Sequence, residues 1–235
     1  MGNPYFQFKQ FTVWHNRCAM KVGTDAVLLG SWMHVEGASR LLDIGCGCGL
    51  ISLMAAQRCK EGRVVAVEID GEAAAQAHEN VQKSPWKERI EVVHADICNF
   101  SSAEGFDVIF SNPPYFVNSL KCPDKQRSDA RHTDTLDFDT LMQRVESLLK
   151  VDGEFSVVIP MDAVRAIKAS AIAHRLYLSR ETHVYTKPSA PVKRALLAFR
   201  RTMPDTLVLP QKLVICPYPG EYGEEYKRMV NDFYL

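Results

Sequence analysis

Seven short runs of apolar and β-branched residues recur along the chain, and helical patterns fall between most of them. The runs are Leu41–Ile44, Arg63–Glu68, Ile90–Val93, Phe106–Phe110, Glu154–Ile159, Leu176–Tyr185 and Ala195–Arg200. Between them, Leu50–Arg58, Glu72–Gln82, Phe138–Leu149 and Val164–His174 read as helices. Short apolar runs bounded by turns suit strands buried on both faces, and longer amphipathic stretches suit covering helices. Strand alternating with helix predicts an α/β fold: a seven-stranded, mostly parallel sheet with helices on both faces. Upstream, Tyr5–His15 is rich in aromatic and β-branched residues and reads as a strand or hairpin. Thr24 is the expected cap of a helix over Ala26–Trp32.

The 235 residues suit one domain, large enough to bury a core without covalent staples. Seven cysteines, an odd number, argue against a closed disulfide framework. With no signal peptide and no spanning apolar run, the expected location is a reducing cytoplasm, away from membranes. Cys46 and Cys48 stand one residue apart with no Cys or His pair at zinc spacing, so they are expected to be small residues in a tight turn, and no metal is expected.

That turn is Asp43-Ile44-Gly45-Cys46-Gly47-Cys48-Gly49, between the first run and the first helix. Glycines let a ligand approach the backbone closely, and the helix start offers free N–H groups. A dinucleotide site wants G-x-G-x-x-G, but the third glycine position is Leu50, which disfavours a nicotinamide enzyme. Glu68 closes the next strand about twenty residues on, where an acidic residue reaches ribose hydroxyls in such folds.

The sharpest motif is Ser111-Asn112-Pro113-Pro114-Tyr115, straight after the fourth run. Two prolines force the chain out of the sheet and leave rigid carbonyls between an amide and an aromatic ring. The Asn112 oxygen and the Pro113 carbonyl can accept both hydrogens of a planar –NH2 group. Two acceptors pull such a nitrogen towards tetrahedral geometry and free its lone pair. Tyr115 can stack on a base, worth about 1–3 kcal/mol. Asn112, Pro113, Pro114 and Tyr115 are therefore the candidate catalytic residues.

The G-x-G-x-G turn after an acidic residue resembles the S-adenosylmethionine motif of Rossmann-like methyltransferases, and the Asn-Pro-Pro-Tyr box resembles that of amino-methyltransferases. The box is shared by adenine-N6 and glutamine-N5 enzymes. Phe8-Lys9-Gln10-Phe11, the block from Met20-Lys21-Val22-Gly23-Thr24-Asp25 to Trp32, Ala130-Arg131-His132 and Asp232-Phe233-Tyr234-Leu235 narrow the choice. With them, nearly the whole chain is similar to bacterial tRNA adenine-N6 methyltransferases that act on adenine-37 of a valine tRNA.

That resemblance implies one domain over residues 1–235, with a strand and helix extension over 1–36 and a catalytic core over 37–235. It implies S-adenosyl-L-methionine as cofactor. Gly45, Gly47 and Gly49 would hold its methionine part, with Asp43 near the amino group. Lys21, Thr24 and Asp25 would line the same end, Glu68 would reach the ribose and Asp96 the adenine, with Ile69 and Ile97 as further cofactor contacts. Asn112 would serve both cofactor and substrate. A release-factor glutamine methyltransferase is the first alternative; those enzymes usually carry a helical domain first, whereas about forty residues precede Leu41 here. An RNA-binding relative that has lost catalysis is the second.

Nine Lys and Arg residues against two acidic ones between Met161 and Arg201 give +7 in a chain of net charge zero. Such asymmetry suggests a basic face for a polyanion. Lys187, Lys193 and Arg194, on the segment joining the last two runs, are candidate RNA contacts. The polar stretch Phe116–Asp137 is a candidate lid, with Phe116, Arg131 and His132 as further RNA contacts. The expected partner is the tRNA anticodon loop, whose target base would leave its stack to react; no obligatory protein partner is evident.

Overall fold

The computed structural model describes residues 3–113 and 136–235. A two-stranded hairpin opens it: β1 (Tyr5–Gln7) and β2 (Thr12–Trp14), antiparallel. Helix α1 (Thr24–Trp32) follows. Then come β3 (Arg40–Ile44), α2 (Leu50–Arg58), β4 (Arg63–Glu68), α3 (Gly71–Gln82), β5 (Ile90–His94) and β6 (Phe106–Ser111). After the undescribed stretch lie α4 (Phe138–Leu148), β7 (Leu149–Pro160), α5 (Val164–Ala173), β8 (Tyr177–Tyr185), β9 (Arg194–Arg200), β10 (Gln211–Val214) and α6 (Glu224–Val230).

The sheet has eight strands among the described residues, in the order β10-β8-β9-β7-β6-β3-β4-β5. This corrects the expected seven. The extra strand, β10, is four residues long and lies at the edge, parallel to β8. The expectation of a mostly parallel sheet holds, since β9 runs antiparallel to both neighbours, β7 and β8, while the remaining pairs are parallel. Two apolar layers cover it. Leu28, Leu53 and Phe233 belong to one, and Leu141, Ile167 and Phe199 to the other.

Local differences from the sequence reading have physical causes. Thr24 is the first helical residue, not the cap; Gly23 holds the extended cap position without a side-chain bond. Strand β7 starts at Leu149, five residues before Glu154, because the chain passes from α4 straight into pairing with Phe106. Lys150 pins that start through an ion pair with Asp107 at 2.8 Å.

The strand order fixes where a ligand can sit. From β3 the chain winds outward through β4 to β5, then returns to place β6 on the other side of β3. Loops leaving adjacent strands in opposite directions open a crevice at their carboxyl ends. The glycine turn leaves β3 and Asn112 leaves β6, so two motifs 63 residues apart meet. Ile44 pairs with Ser111 in the ladder, and Ser111 Oγ donates to the Ile44 carbonyl at 2.8 Å.

Candidate active site

At this crevice lies a cavity of about 380 Å³. That is within the usual range for small-molecule sites. Gly45 and Gly47 form part of one wall, Glu68, Ile69 and Asp70 another, Asp96, Ile97 and Cys98 a third, and Ser111, Asn112 and Pro113 a fourth. Eight of the residues singled out in the sequence therefore share one cavity: Gly45, Gly47, Glu68, Ile69, Asp96, Ile97, Asn112 and Pro113.

The turn is built from three glycines with positive φ: 71° at Gly45, 55° at Gly47 and 80° at Gly49. Side chains rarely adopt that backbone. A Cβ on Gly45 or Gly47 would meet no protein atom within 4 Å, so what these glycines leave open is space for a ligand. Gly49 differs: its added Cβ would stand 3.3 Å from that of Ala77, so its role is close packing of α2 against α3. Cys46 and Cys48 are buried in the turn. Burial pushes the Cys46 thiol above its ordinary range. Among the described residues no group of His, Cys, Asp and Glu could hold a metal ion.

Glu68 holds the turn in place. Its Oε2 accepts the Gly47 N–H at 2.7 Å and its Oε1 the Asp70 N–H at 3.0 Å. A carboxylate has about four acceptor positions, so capacity remains for two ligand hydroxyls. Asp96 Oδ1 accepts the Cys98 N–H at 2.8 Å, which shapes the wall after β5.

Other expected residues lie elsewhere. Asp43 does not line the cavity: it is fully buried, and its Oδ2 accepts Ser52 Oγ at 2.6 Å. Its Oδ1 has no partner. Burial, with Glu68 nearby, pushes its carboxyl up to about 7 against the opposing Ser52 bond. Lys21, Thr24 and Asp25 are also absent from the lining. Asp25 pairs with Arg194 at 2.5 Å, tying α1 to β9, so this candidate RNA contact has a partner inside the fold. Lys187 and Lys193 are exposed. Other basic residues of 161–201 have partners too: Lys168 with Glu181, and Arg180 and Arg200 with Glu154. Pro114, Tyr115, Phe116, Arg131 and His132 lie outside the described residues.

Two contributions went unread in the sequence. Cys18, Ala19 and Met20 line the cavity from the segment after β2. Asn80, only 1% exposed, clamps that segment to the turn. Its amide accepts the Trp14 N–H at 2.9 Å and donates to the carbonyls of Trp14 and Cys48 at 2.8 and 2.9 Å.

Comparison with known proteins decides the family. The methyltransferase small domain model matches residues 17–162. A tRNA1(Val) (adenine(37)-N6)-methyltransferase of Bacteroides thetaiotaomicron is 52% identical over 100% of this chain and 99% of its own. The chain belongs to the tRNA1(Val) (adenine(37)-N6)-methyltransferase family. A member of this family from Serratia proteamaculans is 46% identical over 98% of this chain and 89% of its own.

Solved structures agree on the fold of the family. A protein of Agrobacterium tumefaciens described as a predicted O-methyltransferase superposes with a TM-score of 0.70 at 20% identity, covering 89% of this chain and 96% of that one. The N-methyltransferase NodS of Bradyrhizobium japonicum, in complex with S-adenosyl-L-homocysteine, gives 0.51 at 20% identity, covering 69% and 78%. The fold is thus that of the Rossmann-like, class I methyltransferases.

Proposed function

We propose that this enzyme transfers a methyl group from S-adenosyl-L-methionine to the exocyclic N6 of adenine-37 in tRNA1(Val). The observation that carries the reading is the full-length identity to relatives of that name, joined to a cavity lined by both Asn112 and the glycine turn. The cofactor, when bound, supplies an electrophilic methyl on a sulfonium that is an excellent leaving group. Gly45 and Gly47 leave space for its amino-acid end, Glu68 offers acceptors for ribose hydroxyls, and Asp96 an acceptor for the adenine amine. Asn112 and the Pro113 carbonyl accept the two N–H hydrogens of the target amine. This holds the nitrogen pyramidal with its lone pair directed across the cavity. Such positioning and electrostatics carry most of the acceleration, and no metal or covalent intermediate is required.

No helix among the described residues is long and apolar enough to cross a membrane. A cytoplasmic location, where tRNA is processed, accompanies the reading. Tyr115, Phe116, Arg131 and His132, with Lys187 and Lys193, are the proposed contacts to the anticodon loop.

The test is methyl transfer from labelled S-adenosylmethionine to unmodified tRNA1(Val), with nucleoside analysis of the product. Label in N6-methyladenosine is expected, and Asn112→Ala should abolish it. Label in a release factor and none in tRNA would replace this reading with glutamine methylation.

A further inference from the structure

A second depression, of about 330 Å³, shares no lining residue with the first. Trp14, Asn16, Arg17, Gln76, Glu79 and Lys83 line it. Ala73 of α3 faces the cofactor cavity, and Gln76, Glu79 and Lys83 follow at spacings of three, three and four. Such spacing keeps residues on one helix face, so the groove runs along α3 away from the cavity. The opposite wall is continuous too: Asn16 and Arg17 line the groove, and Cys18 to Met20 line the cavity.

Gln76 marks this groove as a built site. It is 2% exposed, yet its Oε1 has no hydrogen-bond partner. An unpaired buried acceptor is destabilising unless something supplies a donor. Beside it stands the half-buried ring of Trp14, held by Tyr5 at 4.9 Å and by the Asn80 clamp on its backbone. Lys83 Nζ lies 5.7 Å from the centre of that ring. Arg17 and Glu79 form an ion pair, so the charged groups of the lining leave one net positive charge.

An aromatic platform, a buried acceptor that needs a donor and one excess cation match the three parts of a nucleotide. We propose that this groove binds a tRNA nucleotide outside the reacting position. Its base stacks on Trp14, the Gln76 amide turns to present Oε1 to a base N–H or ribose hydroxyl, and Lys83 swings from the ring to its phosphate. The proposal rests on the reading of tRNA as substrate and adds a specificity contact remote from the chemistry.

The experiment compares wild type, Gln76→Leu, Trp14→Leu and Lys83→Glu. It measures tRNA1(Val) affinity, KM and kcat for the same tRNA, S-adenosylhomocysteine affinity, and Tm. Each variant should weaken tRNA binding and raise KM about tenfold, in keeping with one stacked base. The value of kcat at saturating tRNA and the affinity for S-adenosylhomocysteine should not change. Gln76→Leu removes an unpaired buried carbonyl, so its Tm should hold or rise, and lost tRNA affinity then cannot reflect misfolding. Wild-type methylation of tRNA with unchanged affinity and KM in Gln76→Leu and Lys83→Glu would overturn the groove alone. A wild type that neither binds nor methylates tRNA would overturn the substrate reading, and the groove with it.

Discussion

Glu68 Oε2 accepts the backbone N–H of Gly47 at 2.7 Å, so the last residue of β4 fixes the turn that leaves β3. This makes one carboxylate both a structural strut and a wall of the cavity. Glu68→Gln keeps an acceptor for one of the two N–H groups but loses the charge. Glu68→Ala loses both acceptors. Hydrogen bonds to charged groups contribute roughly 1.5–3 kcal/mol each, so S-adenosylhomocysteine affinity should fall about tenfold in the first variant and a hundredfold in the second. Calorimetric titration reads this directly. Unchanged affinity in Glu68→Ala would remove Glu68 from the cofactor site.

Asn80 joins three backbone groups from two distant segments. Alanine there leaves the half-buried Trp14 N–H and carbonyl and the buried Cys48 carbonyl without this partner. Each such group costs about 1–3 kcal/mol, moderated where water enters, so a loss of about 3 kcal/mol is expected. That is a large part of a typical 5–15 kcal/mol stability. Urea denaturation measures it, and a change below about 1 kcal/mol would show that the clamp is not a stability element.

The contrast between Glu68 and Asn80 shows what a sequence can reveal. Glu68 was legible because its place after a strand and its distance from the glycine turn are local. Asn80 was not, since nothing near it in sequence announces partners 66 and 32 residues away. The central strands were legible for the same reason as Glu68: buried parallel strands such as Val64–Val67 are continuous apolar runs. Strand β10 escaped because Gln211-Lys212-Leu213-Val214 is short and half exposed, and α6 because only Tyr226 and Val230 of its seven residues are buried. The linear cluster of basic residues over 161–201 is divided up by the fold, which the sequence alone does not show. Arg165 and Lys168 sit on α5, Arg180, Arg194 and Arg200 on β8 and β9, and Lys187 and Lys193 on the exposed segment between those strands, while Glu154 and Glu181, both buried, pair with three of them.

Gly49 separates two roles that look alike in the motif. Alanine at its φ of 80° costs about 1–2 kcal/mol in backbone strain, and the new Cβ would stand 3.3 Å from that of Ala77. Gly49→Ala should therefore lower Tm by several degrees with little direct effect on cofactor binding. Gly45→Ala carries similar strain but projects its Cβ into open space, so it should weaken S-adenosylhomocysteine binding more than Gly49→Ala does. Paired thermal and calorimetric measurements on the two variants separate these outcomes, and equal affinities would reject the distinction.

Asp43 gives the fold a pH dependence. Its carboxyl is fully buried and titrates at about 7, against 3.8 when exposed, because burial penalises the charge more than the Ser52 bond favours it. Between pH 4 and pH 7 the folded chain keeps the proton while the unfolded chain has released it. The folded state then binds more protons, so this group makes stability fall as pH rises through that window and adds no further change above it. Three pH units correspond to about 4 kcal/mol. Asp43→Asn carries no charge to bury, so the variant should lack this slope. Compared with the parent it should be of similar stability at pH 4 and more stable by a few kcal/mol at pH 8. Urea denaturation of both proteins across pH 4–8, without cofactor, tests this, since the remaining ionisable groups are common to the two. Parallel stability curves would mean that the Asp43 carboxyl is ionised throughout and held by a partner other than Ser52.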